Sequence, residues 1–294
     1  IATGCIDREL TRGRTPGVRF LVWHDRDVPT TLVTGADSLI GAHLARLLLE
    51  RGDRLRLLVS GRHAETVLEE FGLAGEAEVI KADPRDRVAV TAAMRRVGTV
   101  FHVPEAAPWR SSWRRLHDVH VSASDVALAA AARAGVRRFV HTSSATSLGP
   151  APRGSTIDET QPFSARWGLA IISASHTGEQ LALRYCAEGL PVVIGLPGLV
   201  LGSGDHYGSS TEAVAAFIDR AIPWYTPGAL SIVGADDVGR GLILAAERGV
   251  TGERYLLGGR NFTTDRLFAD LGRLTGVAPP ALRLPVAAGL ALAR

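Results

Sequence analysis

The stretch that decides the fold is TLVTGADSLIG, residues 31–41, where a short apolar run meets a glycine-containing turn. Its first residues predict a buried strand, and apolar residues at helical spacing then predict a helix with the stripe Leu39, Ile40, Leu44, Leu47 and Leu48. Gly35 permits the tight turn, and Gly41 allows helix and strand to pack closely. Because the first N–H groups of a helix attract phosphate, the stretch predicts a dinucleotide-binding turn that comprises Thr34, Gly35, Ser38, Leu39, Ile40 and Gly41.

Ser38 stands where a dinucleotide-binding turn normally carries its middle glycine. Its side chain intrudes where the backbone would approach the pyrophosphate, although its hydroxyl could instead donate a hydrogen bond to a phosphate oxygen. A strand–helix turn that binds nothing is the alternative interpretation. The position of the turn, directly after the first strand, favours binding.

The alternation of strands and helices continues beyond this turn. Further strands are predicted at RLRLLV, AEVIKA, TVFHV, RRFVHTSS and LPVVIGL, with helices near 86–96, 116–134 and 170–188. Such alternation implies right-handed crossovers and a parallel sheet that helices cover on both faces. We therefore predict an α/β fold whose doubly wound parallel sheet forms a dinucleotide-binding domain over residues 31–200.

The two ends of the chain follow a different pattern. Residues 1–30 have no hydrophobic period and predict an irregular extension. After residue 200 the chain becomes rich in loops, with helices predicted at 211–222, 236–248 and 264–275 and a strand at ERYLLGG. These elements predict a small substrate lobe over 201–294, interleaved with the end of the sheet and truncated at its C-terminus.

Composition excludes several classes of protein. The chain has 294 residues, 46% hydrophobic, and a net charge of +3, which is too small to suggest nucleic-acid binding. The sequence contains no apolar run of the ~18 residues that a membrane span needs. Cys5 and Cys186 provide neither a disulfide framework nor a metal cluster. We expect a cytoplasmic protein with no bound metal.

The end of the second predicted strand bears on the choice of cofactor. NAD-binding folds place an acidic residue there, about 20 positions after the glycine turn, to hold the ribose hydroxyls. This chain reads Val59-Ser60-Gly61-Arg62 and has no acid at that point. Arg62 either meets a 2′-phosphate, which favours NADP over NAD, or is a solvated loop arginine.

The motifs that follow one another from residue 31 onward resemble the extended short-chain dehydrogenase/reductase family. The matching stretches are TGADSLIG, KAD at 81–83, FHV, HTSSATSLG, IDETQPF, GEQLAL, LPVVIGLPGLVLGSGD, ADDVGRGLILAAERG and GERYLLGG. Within this family the chain is similar to NAD-dependent epimerase/dehydratases of the dihydroflavonol-reductase and hopanoid-associated sugar epimerase types. The resemblance implies a Rossmann-type fold, contact of Asp83 with adenine, a hydrogen bond from Ser144 to a substrate oxygen, and a cofactor contact at Pro197.

The resemblance also implies a Tyr-x-x-x-Lys pair, in which the lysine lowers the tyrosine pKa so that the phenol can pass a proton during hydride transfer. Counting back from Gly178 places the tyrosine position at Ile171 and the lysine position at Ser175. The only lysine, Lys81, lies upstream of all four tyrosines, the first of which is Tyr185. The sequence therefore contains no such pair in any register.

Three residues near the expected cleft are candidates for other chemistry. Glu105, His120 and Ser144 would allow proton transfer without hydride transfer, as in an isomerase, a dehydratase or a cyclase. The simpler interpretation makes Glu105 a solvent-facing acid and His120 a helix histidine bonded to a neighbouring carbonyl. His117 and His120 lack a third ligand, so a metal site is not predicted.

Three hypotheses for function follow. The first is a non-catalytic sensor or scaffold that binds a nicotinamide dinucleotide and an unknown small molecule. The second is a non-redox enzyme in a rebuilt pocket, and the third is a residual NADP-dependent reductase or epimerase acting on a sugar or carbonyl substrate. In the family, helices equivalent to 116–134 and 170–188 often pair between subunits, so the resemblance also implies a homodimer.

Overall fold

The computed structural model describes residues 29–104, 111–152, 154–163, 170–208 and 210–292. Its first half alternates strands and helices as predicted. The elements are β1 (Thr30–Thr34), α1 (Leu39–Glu50), β2 (Leu55–Val59), α2 (Ala64–Glu70), β3 (Glu78–Lys81), α3 (Arg87–Ala93), β4 (Val97–His102), α4 (Trp113–His117), a π-helical turn (Asp118–Ser122), α5 (Ala123–Ala134), β5 (Arg138–Thr142) and a 3₁₀ turn (Ala145–Leu148).

The second half contains one long helix and then shorter elements. They are α6 (Ala170–Ala187), β6 (Val192–Pro197), β7 (Leu199–Leu201), α7 (Glu212–Ile218), β8 (Trp224–Tyr225), β9 (Ala229–Gly234), α8 (Ala235–Arg248), β10 (Arg254–Leu257), β11 (Arg260–Thr263), α9 (Thr264–Thr275), β12 (Leu282–Arg283) and α10 (Val286–Leu292).

Seven of these strands form one sheet in the order β10-β6-β5-β4-β1-β2-β3. Every neighbouring pair is parallel; Leu32 of β1, for example, is in register with Arg56 of β2 on one side and Val100 of β4 on the other. This order confirms the predicted doubly wound parallel sheet. The chain reverses its direction of progress between β1 and β4, and sheets of this kind bind ligands beyond the carboxyl ends of the strands at that point.

Helices cover both faces of the sheet, and the alternation of side chains in β1 shows how the core divides. Val33 packs with the buried face of α1 and with α8, whereas Leu32 packs toward α3 and α5. Because successive strand residues point to opposite faces, a strand buried on both faces has a continuous apolar run, as TLVT does. Of the predicted helical stripe, Leu39, Ile40, Leu44 and Leu48 are buried, whereas Leu47 is half-buried.

Residues after 200 contribute strands to the central sheet and to two small sheets. A small sheet has the order β11-β9-β7, and β12 pairs with β8. The predicted strand ERYLLGG instead supplies β10, which pairs in parallel with β6 and is the edge strand of the central sheet. α8 packs against α1 on one face of that sheet. Within the described ranges, no helix combines the length and apolar character needed to cross a membrane.

Candidate functional site

A cavity of about 240 Å³ opens where β1, β2, β3 and β4 end. This is the point at which the order of the strands reverses. Its wall contains four predicted cofactor residues, Thr34, Gly35, Ser38 and Asp83. It also contains residues to which the sequence assigned no cofactor contact, among them Asp37, Ser60, Gly61, Arg115 and Tyr207. The structure therefore brings the predicted turn to a cleft at the position where α/β sheets bind nucleotides.

The glycine turn at this cleft is as tight as the sequence predicted. Gly35 has φ +67°, and a Cβ there would lie 2.2 Å from the carbonyl oxygen of Val103. A Cβ on Gly41 would lie 2.0 Å from the carbonyl oxygen of Gly35. Only glycine fits at either position, so β1 and α1 approach each other as closely as a phosphate-binding turn requires.

Ser38 is the N-cap of α1. Its hydroxyl accepts a hydrogen bond from the N–H of Gly41 at 3.1 Å and donates to the carbonyl oxygen of Gly35 at 2.7 Å. The predicted donation from this hydroxyl to a phosphate is therefore not available in this geometry, because the proton is already directed to Gly35. The side chain also engages one of the N–H groups that the helix would otherwise offer to an anion.

Ser38→Gly should tighten dinucleotide binding, because it frees the Gly41 N–H and lets the backbone approach the pyrophosphate. Glycine is itself an acceptable N-cap, so the unfolding free energy should fall by only a few tenths of a kcal/mol, roughly, against ~1 kcal/mol for Ser38→Ala. NADH titration and urea unfolding of both variants measure the two effects. Weaker binding by Ser38→Gly would show that the serine assists the site.

Asp37 and Tyr207 form a contact that the sequence did not predict. The Tyr207 hydroxyl donates to Oδ2 of Asp37 at 3.2 Å and accepts from the backbone N–H of His63 at 3.2 Å. Burial, and then the negative charge of Asp37, raise the pKa of Tyr207 to about 12. The phenol therefore stays protonated and is a hydrogen-bond donor in the cavity wall. Sequence spacing offers no signal for this pair, since 170 positions separate the two residues.

Asp83 lies at the other side of the cavity, after β3. Arg85 donates to it from its backbone N–H at 2.8 Å and from its guanidinium at 2.8 and 3.1 Å. These side-chain hydrogen bonds are the main cause of a lowered Asp83 pKa. Arg85 also contacts Asp118 at 2.9 Å, which links the end of β3 to the π-helical turn. Asp83 is thus an ionised acceptor in the cavity wall, and its predicted contact with adenine remains a prediction.

The other predicted cofactor residues do not line this cavity. Leu39, Ile40 and Gly41 are buried in the first turn of α1, and Pro197 is buried at the end of β6. Arg62 is exposed, and its Nε donates to Nε2 of His63 at 2.9 Å. The predicted choice of NADP, which depends on Arg62, stays a prediction.

The two positions that counting back from Gly178 assigns to the tyrosine and the lysine lie on α6. Ile171 is half-buried, and Ser175 is 2% exposed with no hydrogen-bond partner for its hydroxyl among the described residues. Within the described ranges, buried polar atoms without a partner also occur on β5, in the π-helical turn and elsewhere on α6, namely Nδ1 of His141, Oγ1 of Thr142, Nε2 of His120 and Nδ1 of His176. Since buried polar groups in proteins are nearly always paired, this group of residues is unusual.

Three buried histidines lie beside this region. Burial lowers the pKa of His120 to about 4 and of His141 to about 3, and it also places the pKa of His102 well below its usual value. The His102 ring is fixed between Oγ1 of Thr34 at 2.7 Å and Oγ of Ser124 at 3.0 Å, and its centroid is 5.7 Å from that of His141. All three rings are neutral near pH 7.

The structure describes two of the three predicted catalytic residues, Ser144 and His120, and the joint site predicted for them with Glu105 stays a prediction. The Ser144 hydroxyl caps the 3₁₀ turn and accepts from the N–H and the hydroxyl of Thr146 at 3.2 and 2.9 Å. His120 is buried in the π-helical turn, and its Nε2 lacks the predicted carbonyl partner within the described chain. Glu105 lies outside the described residues. No group of three potential ligands in the described ranges is placed to hold a metal ion.

A buried carboxylate, Glu179 of α6, organises the segment that carries Ser144. Its side chain is 0% exposed and accepts from Oγ of Ser147 at 2.7 Å and Oγ of Ser143 at 3.3 Å. Arg254 of β10 forms an ion pair with it at 3.1 Å. This contact joins α6, the end of β5 and the edge strand β10. Glu179 lies within the GEQLAL stretch, whose sequence gives no sign of these contacts.

The chain has recognisable relatives. A family model described as the NAD-dependent epimerase/dehydratase family matches residues 31–258. Sterol demethylase protein B of Methylococcus capsulatus is 33% identical over 260 residues, which cover 87% of this chain and 77% of that protein. A protein provisionally named dihydroflavonol 4-reductase, from Synechocystis, is 30% identical over 86% of this chain and 75% of its own length.

Structural comparison agrees with these matches. The crystal structure of a nucleoside-diphosphate-sugar epimerase from Pseudomonas aeruginosa superposes with a TM-score of 0.77 at 27% identity, covering 90% of this chain and 83% of that one. Together with the parallel sheet and the glycine turn at its switch point, the match over most of the chain assigns the family. The chain belongs to the NAD-dependent epimerase/dehydratase family.

Proposed function

We propose that this protein binds a nicotinamide dinucleotide without performing hydride transfer by the tyrosine–lysine mechanism, and that it acts as a sensor or scaffold. The observation that carries the proposal is a contrast between two parts of the chain. The turn of Gly35 and Gly41 has a tight geometry, whereas Ile171 and Ser175 occupy the positions that the family resemblance assigns to the proton-relay pair. A positioned acid–base group contributes ~10²–10⁴-fold to a reaction rate, so its loss removes most of the activity that a reductase would need.

A non-redox enzyme is the second candidate, favoured by the unpartnered polar atoms near Ser175. A bound ligand would satisfy buried groups that otherwise cost free energy. The neutral ring of His120, adjacent to this region, has an unpartnered buried Nε2 that a ligand could hydrogen-bond. Such a site would support isomerisation or elimination on a small polar substrate, with the dinucleotide absent or as a structural ligand.

The binding proposal is tested by titrating NADH and NADPH against the protein and following tryptophan quenching and energy transfer to the reduced nicotinamide. Both cofactors are compared because Arg62 favours NADP whereas Asp37 places a negative charge in the cavity. We expect saturable binding of at least one, and no change in nicotinamide absorbance with sugar, sterol or flavonoid carbonyl compounds, the classes that the relatives' names suggest. Turnover with an absorbance change would overturn the non-catalytic assignment.

Gly35→Ala should abolish dinucleotide binding, because its Cβ would collide with the carbonyl oxygen of Val103 in the cavity wall. Gly52→Ala is the matched control, since Gly52 also has positive φ, +86°, but has open space around it and lies at the opposite end of α1. The control variant should bind the dinucleotide normally, although alanine at residue 52 strains the backbone to a similar degree. Equal binding by both variants would exclude the glycine turn as the cofactor site.

A separate outcome bears on the second candidate function. Conversion of a substrate by the unaltered protein without a change in nicotinamide absorbance would favour the non-redox enzyme.

A further inference from the structure

Asp37 belongs to the turn between β1 and α1, yet its carboxylate lies at the end of β2. Its Oδ2 accepts from the backbone N–H of Gly61 at 2.6 Å and of Ser60 at 3.3 Å. The residue is 5% exposed and contributes to the cavity wall. The negative charge therefore sits in the cleft beside the residues that directly follow β2.

Tyr207 fixes this carboxylate from the other side. Its hydroxyl donates to the same Oδ2, and it packs so closely on Gly61 that a Cβ there would lie 1.7 Å from the Tyr207 oxygen and 2.6 Å from Oδ2 of Asp37. The phenol is anchored in turn by the His63 N–H. Three donors and the absence of a side chain at residue 61 thus define one position for the Asp37 carboxylate.

That position has a function in folds of this kind. The ribose of a bound dinucleotide lies at the end of the second strand, where a carboxylate accepts hydrogen bonds from its hydroxyls and discriminates against a 2′-phosphate. In this chain the residues at the end of β2 are Ser60, Gly61 and Arg62, and none is acidic. Asp37 brings a carboxylate to the same place from a different part of the chain.

We propose that Asp37, held by Tyr207 and the Gly61 N–H, is the ribose-binding residue of this protein and makes it select NAD over NADP. The inference rests on the proposed function, since it assumes that the cleft binds a dinucleotide. A 2′-phosphate would place about two further negative charges against a carboxylate that is buried and fixed, and juxtaposed like charges oppose binding strongly. The sequence offered Arg62 as the residue that would neutralise that phosphate. In the structure Arg62 is exposed, and its guanidinium donates a hydrogen bond to His63.

ADP-ribose and 2′-phospho-ADP-ribose are suitable probes, because they differ only at the ribose position and lack the nicotinamide. Isothermal titration calorimetry with the intact protein should give at least ~10-fold tighter binding of ADP-ribose, as expected for a like-charge contact in a cavity. Asp37→Asn should reduce that ratio to near unity, by weakening ADP-ribose and strengthening its 2′-phosphate. Tyr207→Phe, which leaves the carboxylate charge in place, should reduce the ratio only in part.

Two variants serve as controls. Asp53→Asn also removes one carboxylate charge, but from the opposite end of β2 and outside the cavity wall. It should leave the ratio of the two probe affinities unchanged. Arg62→Gln should also leave it unchanged, whereas an NADP site built on Arg62 would lose affinity for the 2′-phosphate. Thermal unfolding of each variant confirms that it is folded, and the preference of the unaltered protein is informative without any variant.

The outcomes separate the two proposals. Binding of both probes with equal affinity, or a preference for the 2′-phosphate, would overturn the role of Asp37 while leaving dinucleotide binding intact. A preference for ADP-ribose that survives in Asp37→Asn would assign the selection to another residue. Failure of both probes, and of NADH and NADPH, to bind would overturn this inference together with the proposed function.

Discussion

Replacement of Arg254 by methionine should lower the free energy of unfolding by about 3–5 kcal/mol, because it leaves a buried charge without its counter-ion. Glu179 is fully buried, and Arg254 is its only ion-pair partner in the described chain. The two serine hydroxyls that remain, from Ser143 and Ser147, donate hydrogen bonds but carry no charge. Arg254 also donates to the carbonyl oxygen of Glu159, so the variant loses a second contact of the edge strand.

Urea unfolding of Arg254→Met measures this effect, with two comparisons. Arg184→Met removes an exposed arginine that lies 3.7 Å from Asp125, and it should cost less than ~1 kcal/mol. Adding Glu179→Gln to Arg254→Met removes the buried charge itself and should recover most of the lost stability. If Arg254→Met were no more damaging than Arg184→Met, the Glu179 ion pair would not stabilise the junction of α6, β5 and β10.

Mild acid should destabilise the folded protein through its three buried histidines. The unfolded chain binds protons at these residues near pH 6.5, whereas in the folded protein the pKa values of His120 and His141 are about 4 and about 3 and that of His102 is well below 6.5. The unfolded state therefore binds more protons throughout the interval from about pH 6.5 to 4. Stability must fall as pH decreases in that window, by about 1 kcal/mol for each histidine between pH 6 and 5.

Unfolding free energies at pH 7.5, 6.5, 6.0, 5.5 and 5.0 test this expectation. Above pH 5 the carboxylates with lowered pKa, such as Asp83 and Asp236, stay ionised in the folded state and contribute little to the slope. His141→Gln, which is neutral at every pH, should be less stable than the unaltered protein at pH 7.5 but show a shallower pH dependence. An unchanged slope in this variant would mean that His141 is accessible to protons in the folded state.

Much of the fold was predictable because its signals are local. TLVT, the helical stripe from Leu39 to Leu48 and the strand–helix alternation depend on residues within one or two turns of each other, and the structure has them at the predicted places. The turn at Gly35 and Gly41 was predictable for the same reason, since a sharp strand–helix turn needs glycine at set positions. The assignment of the ERYLLGG strand to the central sheet was not, because pairing with β6 depends on how the chain returns.

The residues that define the site were less accessible to sequence reasoning. The use of Ser38 as an N-cap depends on the rotamer of one hydroxyl. The Glu179–Arg254 pair joins residues 75 positions apart, and Tyr207 reaches Asp37 across 170 positions. No periodic pattern encodes such contacts, and neither residue of a pair indicates its partner.

The sequence by itself determined the class of fold, the location of the glycine turn and the absence of a Tyr-x-x-x-Lys pair from its 294 residues, since each is a matter of residue type and local spacing. Only the tertiary structure decided which polar groups share the cleft, namely Asp37 at the end of β2, Asp83 with Arg85, and the buried His102. The reason is physical. Charge placement and burial depend on the order of strands in the sheet and on long loops, and these arise from the packing of the whole chain.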